Sequence, residues 1–395
     1  MKELSKKAKS MSASLTLALT AKAAEMKKEG IDVISFGAGE PDFNTPKNVR
    51  DAAHSAIEEG KSKYTAASGL LELKEFVCDK FKKDNNLEYR PENIIISTGA
   101  KQCLTNVFVS ILNPNDEVII ASPYWVSYPE LIALADGKTI FAETLRENDF
   151  KLTVNDIEKN ISNNTKAIIL NSPNNPTGAI YTKEELEEIA EVCEKHDLFI
   201  ISDEIYEKLN YDKEINPHVS IASLSEDAFA RTIVINGFSK SHAMTGWRLG
   251  YAAASKEITK LMSIIQSHTT SNPNTITQYA GIEALVGNGQ ELDKMVEVFS
   301  IRRDLMVKLI SEIKSFDCIS PKGAFYCFID ISKLFNKDIK NSIDFASKLL
   351  ATKNVVVIPG SAFGKDNYIR LSYATSEENI VNGLERIKDF INNNL

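Results

Sequence analysis

The chain has 395 residues, 43% hydrophobic and 25% charged, so it can bury a sizeable core and carries no compositional mark of disorder. Its 46 Lys and Arg against 54 Asp and Glu leave a net charge of −8, which argues against a basic nucleic-acid footprint or a polybasic membrane patch. No stretch approaches the roughly 18 apolar residues needed to span a bilayer.

In chain order, Lys2, Lys6, Lys7 and Lys9 precede a mildly apolar run through Leu15, Leu17 and Leu19, then Ala21-Lys22-Ala23, as a secretory signal with an Ala-x-Ala cleavage site would. The run is short and broken by Ser14, Thr16 and Thr20, so it reads instead as an arm leading into an amphipathic helix that ends near Gly30. Residues 31–46 give a short strand and a Gly- and Pro-containing loop, followed by a helix over 47–59 closed by Gly60. Tyr64 falls in a loop ahead of a helix running to about Asn85. A strand at 94–96 enters Ser97-Thr98-Gly99-Ala100-Lys101-Gln102, with a helix behind it through Leu112. Strand, glycine turn and helix N-terminus form a seat for an anion, because free backbone N–H groups and the positive dipole end converge there.

Strands at 118–121, 138–143, 167–170 and 198–202 then alternate with helices at about 126–135, 153–162 and 182–196, and a strand at 232–235 stops at Asn236-Gly237. Short apolar runs alternating with helices predict an α/β fold whose mostly parallel sheet is covered on both faces. Several polar residues, Asp203 among them, fall just past strand ends, where open α/β sheets bind ligands. Beyond Gly250 the chain reads as helical at 256–267, 275–287 and about 290–314. A smaller α+β unit follows, with strands at 324–329, 355–358 and 368–372. The expected division is an arm and the start of the small domain over 1–45, a large cofactor-binding domain over 46–290, and an interdomain helix with the small domain over 291–395.

The stretch RTIVINGFSKSHAMTGWRLGY, residues 231–251, carries the chemistry. A lysine beyond the end of a buried strand, Lys240, can be partly desolvated, which lowers its pKa and makes a nucleophilic amine able to form Schiff bases. Arg248 adds a fork-shaped cation suited to phosphate. Aldehyde and phosphate chemistry in one pocket suggest pyridoxal phosphate. The five cysteines (Cys78, Cys103, Cys193, Cys318, Cys327) include no Cys-x-x-Cys and fit no zinc or disulfide scheme, so they read as free thiols in a reducing compartment. The five scattered histidines show no metal-ligand spacing, and no metal is inferred.

Taken together, GEPDF, KYTAASG, TGAKQ, SPYWVSYP, NSPNNPTG, SDEIY, SKSHAMTGWRLGY and IRLSYAT occur in the order found in class I aminotransferases. The chain resembles these fold type I pyridoxal-phosphate enzymes from about residue 3 to 390, and within them the bacterial aspartate aminotransferase subgroup. The resemblance implies a seven-stranded-type sheet in the large domain and a smaller α+β domain. It implies that Lys240 bonds the cofactor and moves the substrate proton, and that Asp203 is the acid under the pyridinium nitrogen. Out of that context Asp203 would read as a helix N-cap. Tyr206 and Asn175 would contact the cofactor's phenolate oxygen, and Arg248, Gly99, Ala100 and Lys101 its phosphate. Trp125 would stack on the ring. Tyr64 would reach the phosphate of a neighbouring subunit, which implies a homodimer with shared sites. Arg370 would grip the substrate α-carboxylate, under a closing loop that includes Gly39.

The implied reaction is ping-pong transfer of an amino group to a 2-oxo acid in the cytoplasm, from L-aspartate to 2-oxoglutarate, with prephenate as a further acceptor. Lys101 is the candidate for a second substrate carboxylate, and Ser12 and Thr16 could line the same pocket. Rival readings are an aromatic, alanine or kynurenine-type aminotransferase, a C–S β-lyase on the same scaffold, and a non-enzymatic cofactor-binding regulatory domain. For the last, the acidic charge is wrong for DNA, and a chain opening directly on the arm is expected to leave no room for a helix-turn-helix module.

Overall fold

The computed structural model describes residues 2–13, 15–287 and 289–394; the break expected at Ser14 lies outside them. The strands are β1 (Ile34–Ser35), β2 (Ile94–Ser97), β3 (Glu117–Ser122), β4 (Lys138–Glu143), β5 (Thr165–Asn171), β6 (Phe199–Asp203), β7 (Thr232–Gly237), β8 (Gly250–Ala253), β9 (Asp317–Cys318), β10 (Tyr326–Asp330), β11 (Val355–Val356), β12 (Ile358–Pro359) and β13 (Tyr368–Ser372). Seven of them form one sheet in the order β2-β8-β7-β6-β5-β3-β4. Strands β3 to β7 are mutually parallel, as the alternation of apolar runs and helices requires. Apolar clusters cover both faces of the sheet, one beneath the helices Ala100–Ile111 and Lys256–Thr269, the others beneath Leu71–Asn85 and Lys183–Lys195.

The helices are closed by local chemistry. Thr182 and Glu185 form a reciprocal cap at the start of Lys183–Lys195, and Thr153 and Asp156 do the same for Val154–Asn160. Register then sets the site: Asn171 pairs with Asp203, and Asp203 with Ile235, so the carboxyl ends of β5, β6 and β7 open at one level.

Three expectations need correction. Residues 250–253 are a strand, β8, running antiparallel between β2 and β7. Its Gly-Tyr-Ala-Ala sequence lacks the β-branched run that marks a strand, and only its two neighbours make it one. The run 355–358 divides, β11 pairing with β1 and β12 with β13. Asp203 is the last residue of its strand, not a residue past it, and no helix follows for it to cap. β9 also went unforeseen, being two residues long.

Strands β12-β13-β10-β9 make a smaller antiparallel sheet. It shares an apolar cluster with the long helix Gln290–Ser311, the C-terminal helix Glu377–Asn394, and Ile34 and Phe36 from the N-terminal part of the chain. Ile205, Tyr206 and Leu209, which follow β6, join the same cluster and dock one sheet on the other. All five cysteines are free, Cys78 and Cys318 only half-buried.

Candidate active site

Between the two sheets lies a cavity of about 420 Å³. Lys240, three residues beyond β7, enters it and donates from Nζ to the Gly39 carbonyl at 2.5 Å. The Tyr206 and Phe325 rings stand 5.7 and 5.8 Å from the ammonium. Burial, with Arg370 and Arg248 alongside, pushes the Lys240 pKa down to about 8 against the opposing pull of Glu40 and Asp203. The amine therefore needs little driving to become a nucleophile or a base near neutral pH.

Asp203 is buried at the end of β6. Its Oδ2 accepts from the Tyr128 hydroxyl at 2.7 Å, and Oδ1 from the Ile205 N–H at 3.3 Å. Burial pushes its pKa up to about 6 against the pull of those two donors. A carboxylate held there at some cost is one built to face a cation. The Asn171 amide donates to the Asp203 carbonyl at 3.0 Å, and Asn171 Oδ1 accepts from the Asn175 N–H at 2.9 Å, so the turn after β5 hangs from the end of β6. Asn175 Oδ1 in turn accepts from Arg370 Nη1 at 2.9 Å.

Arg370 stands mid-strand in β13, 2% exposed, paired with Phe328 on one side and Ile358 on the other. Its guanidinium lies 4.2 Å from the Tyr326 ring centroid and 5.0 Å from that of Phe363. Nη2 donates to the Gly37 carbonyl at 3.2 Å, and Nε is buried without a hydrogen-bond partner. An arginine so enclosed is short of an anion. The Tyr326 hydroxyl meets that of Tyr206 at 2.9 Å.

At the rim, Gly99 caps the helix Ala100–Ile111 with φ +81° and no side-chain cap. A Cβ there would stand 2.5 Å from Arg248 Nη2, so the guanidinium lies directly on the glycine. A Cβ on Gly250 would come within 2.4 Å of the Ala100 nitrogen, so strand β8 abuts the same helix start. Partial desolvation, and then Arg248, lower the Lys101 pKa. Two cations and a helix N-terminus thus face one place. Lys101 Nζ is 5.0 Å from the Trp125 ring centroid, and Trp125 packs edge-on against Tyr128 at 5.2 Å.

The cavity therefore gathers Gly39, Ala100, Lys101, Trp125, Asn175, Asp203, Tyr206, Lys240, Arg248 and Arg370, with Gly99 behind Arg248. Tyr64 does not join them and is 88% exposed. Thr16 lines the cavity, its hydroxyl buried without a partner; Ser12 does not, its N–H donating instead to Glu130 at 3.2 Å. Sequence reasoning missed Tyr128 and Tyr326. Tyr128 stood in the quoted SPYWVSYP stretch, but its contact with Asp203 depends on two strand ends meeting. Glu204, Glu207 and His218 also converge, with ligand-type atoms within 4.8 Å. The carboxylate oxygens already take Ser202, Ser220, Lys80 and Asn85, so the cluster is a hydrogen-bonded network behind the 203–207 segment.

The family model for aminotransferase class I and II matches residues 31–387. The chain belongs to that family. The aspartate aminotransferase of Bacillus subtilis is 48% identical over 390 residues, covering 98% of this chain and 99% of that protein. A probable aspartate/prephenate aminotransferase of Rickettsia felis is 44% identical over 98% of this chain and 96% of that protein. The solved aspartate aminotransferase of Thermus thermophilus with maleate superposes with a TM-score of 0.93 at 41% identity, covering 98% of this chain and all of that one. The two-sheet architecture is the fold type I arrangement of these aminotransferases, and the chain is a pyridoxal-phosphate-dependent aminotransferase. The cavity fits that cofactor: a softened lysine for its aldehyde, a buried carboxylate for its ring nitrogen, and the Gly99–Arg248 cradle for its phosphate.

Proposed function

We propose that the enzyme transfers the amino group of L-aspartate to 2-oxoglutarate, giving oxaloacetate and L-glutamate. The observation that carries this reading is a single cavity lined by Lys240, Arg370, Lys101 and Thr16. Arg370 suits the α-carboxylate common to both substrates, and Lys101 with the Thr16 hydroxyl suits the distal one. The relatives named for aspartate support the choice, and the Rickettsia relative favours prephenate as a second acceptor.

When bound, pyridoxal phosphate supplies a carbonyl for the amine and a ring that takes up the electrons of the substrate Cα–H bond. The chain's residues do the rest. Arg248, with the Gly99–Ala100–Lys101 backbone, would hold the phosphate, and Asp203, its charge stabilised by Tyr128, would keep the ring nitrogen protonated. Tyr206 and Asn175 would serve the ring oxygen, and Trp125 would pack on the ring. Lys240 Nζ would serve as the base for the substrate Cα proton, and a pKa near 8 suits an amine that both accepts and gives up a proton near neutral pH. Arg370, fixed by Asn175 and Tyr326, sets the angle of the Cα–H bond to the ring.

Tyr64, a large aromatic left 88% exposed, suits a role in a partner's site, and a homodimer with shared sites is part of this proposal. So are the division at about residues 45 and 290 and a cytoplasmic location. Among the described residues no helix is long and apolar enough to cross a membrane.

Titration of the holoenzyme with L-aspartate alone tests the reading. The visible absorbance band should move to about 330 nm with stoichiometric oxaloacetate, and 2-oxoglutarate should reverse the change. A band that ignores aspartate but responds to tyrosine, alanine or kynurenine would refute the substrate assignment.

A further inference from the structure

Residues 37–45 form a strap between the two sheets. At one end the Gly37 carbonyl accepts from Arg370 on β13. Two residues on, the Gly39 carbonyl accepts from Lys240. The next side chain, Glu40, accepts from the Thr245 hydroxyl through Oε2 at 2.6 Å, and the Thr245 carbonyl accepts from Arg248 Nη1 at 2.8 Å. Further along, Asp42 pairs with Arg302 at 2.7 Å and the Thr45 hydroxyl donates to the Ala243 carbonyl at 2.8 Å. One short segment thus touches the groups assigned to the substrate carboxylate and to the cofactor aldehyde, and reaches through Thr245 to the arginine assigned to the cofactor phosphate.

The three contacts nearest the cavity differ in kind. The carbonyls of Gly37 and Gly39 satisfy two cations that each have a stronger partner to come, a carboxylate for Arg370 and a covalent bond for Lys240. Once those partners arrive, both carbonyls lose their donors. The Glu40–Thr245 bond lies beside the exchange, and it joins the strap to the segment that carries both Lys240 and Arg248.

We propose that Glu40 is a positioning residue: its carboxylate on Thr245 fastens the strap to the 240–248 segment, holding Gly37 and Gly39 over the cavity while Arg370 and Lys240 change partners. The inference rests on the assignment of Arg370 to the substrate carboxylate and Lys240 to the cofactor.

A double-mutant cycle on the holoenzyme tests it, using Glu40→Ala, Thr245→Val, both together, and Thr245→Ser. Two readouts are taken: the KM-against-kcat split with L-aspartate, and amide hydrogen exchange over 37–44 with and without succinate as an unreactive dicarboxylate. Each single variant should speed exchange and raise KM by roughly three- to tenfold, the net scale of one ordinary hydrogen bond. The double variant should be no worse than either single one, and Thr245→Ser should restore both readouts. Multiplicative effects in the double variant, or unaltered exchange in the single ones, would overturn the fastener. If succinate leaves exchange unchanged in the wild type while the cycle is still non-additive, the fastener stands and the assignment of Arg370 fails.

Discussion

The two sheets contribute to the cavity in different ways. The seven-stranded sheet presents its groups from strand ends and the turns just beyond them: Asp203 closes β6, Asn175 follows β5, Trp125 follows β3, and Lys240 follows β7. The four-stranded sheet presents Arg370 from the middle of a strand, clamped between paired neighbours and two aromatic rings. Groups at strand ends share one level because register aligns the ends, which suits a cofactor lying across them. A mid-strand arginine moves only with its whole sheet, which suits a group that must meet substrate when that sheet closes on the other. Under the proposed roles, the first region would set chemistry and the second geometry.

Lys240→Ala should break the chemical side outright. Turnover should fall by roughly 10⁴-fold or more in steady-state assays, and borohydride reduction should no longer attach the cofactor to the chain.

Asp203→Asn should separate function from stability within the same region. Its kcat should fall by roughly 10²- to 10³-fold. The folded pKa near 6 stands above the ordinary 3.8, so the unfolded chain ionises first as pH rises. Below pH 3.8 the carboxyl is protonated in both states and costs nothing; stability is lost as pH rises through 6, up to roughly 3 kcal/mol. The cofactor-free Asn variant should therefore melt higher than wild type at pH 7.5, with the difference shrinking as pH falls below 6 and vanishing near pH 3. Equal melting temperatures at both values would show that the buried carboxylate is not strained.

Arg370→Lys tests the geometric side and should have the smallest effect. The ammonium keeps the charge but loses the fork and the stacking on Tyr326, so KM for both substrates should rise roughly 10- to 100-fold with a smaller change in kcat. Loss confined to kcat would place Arg370 in the chemistry and erase the contrast between the sheets.

Much of this molecule was legible from its residues. Apolar runs of four or five alternating with capped helices are enough to demand a mostly parallel, doubly covered sheet, because each run must be buried on both faces. Residue chemistry singled out Lys240, while Asp203, Asn175 and Arg370 were marked by the resemblance of their motif stretches to class I aminotransferases. What required the tertiary structure was everything set by neighbours distant in sequence. β8 is a strand because β2 and β7 flank it, its four residues having no strand pattern of their own. Tyr128 and Tyr326 carried no assignment until the cavity brought their hydroxyls to Asp203 and Tyr206. Thr16 and Ser12 were indistinguishable in the arm until packing turned one hydroxyl inward and hung the other's backbone on Glu130. Residue type and short-range pattern determined which chemistry this chain carries; which groups share a hydrogen bond was decided by long-range packing, because such distances depend on contacts between segments 75 to more than 300 residues apart.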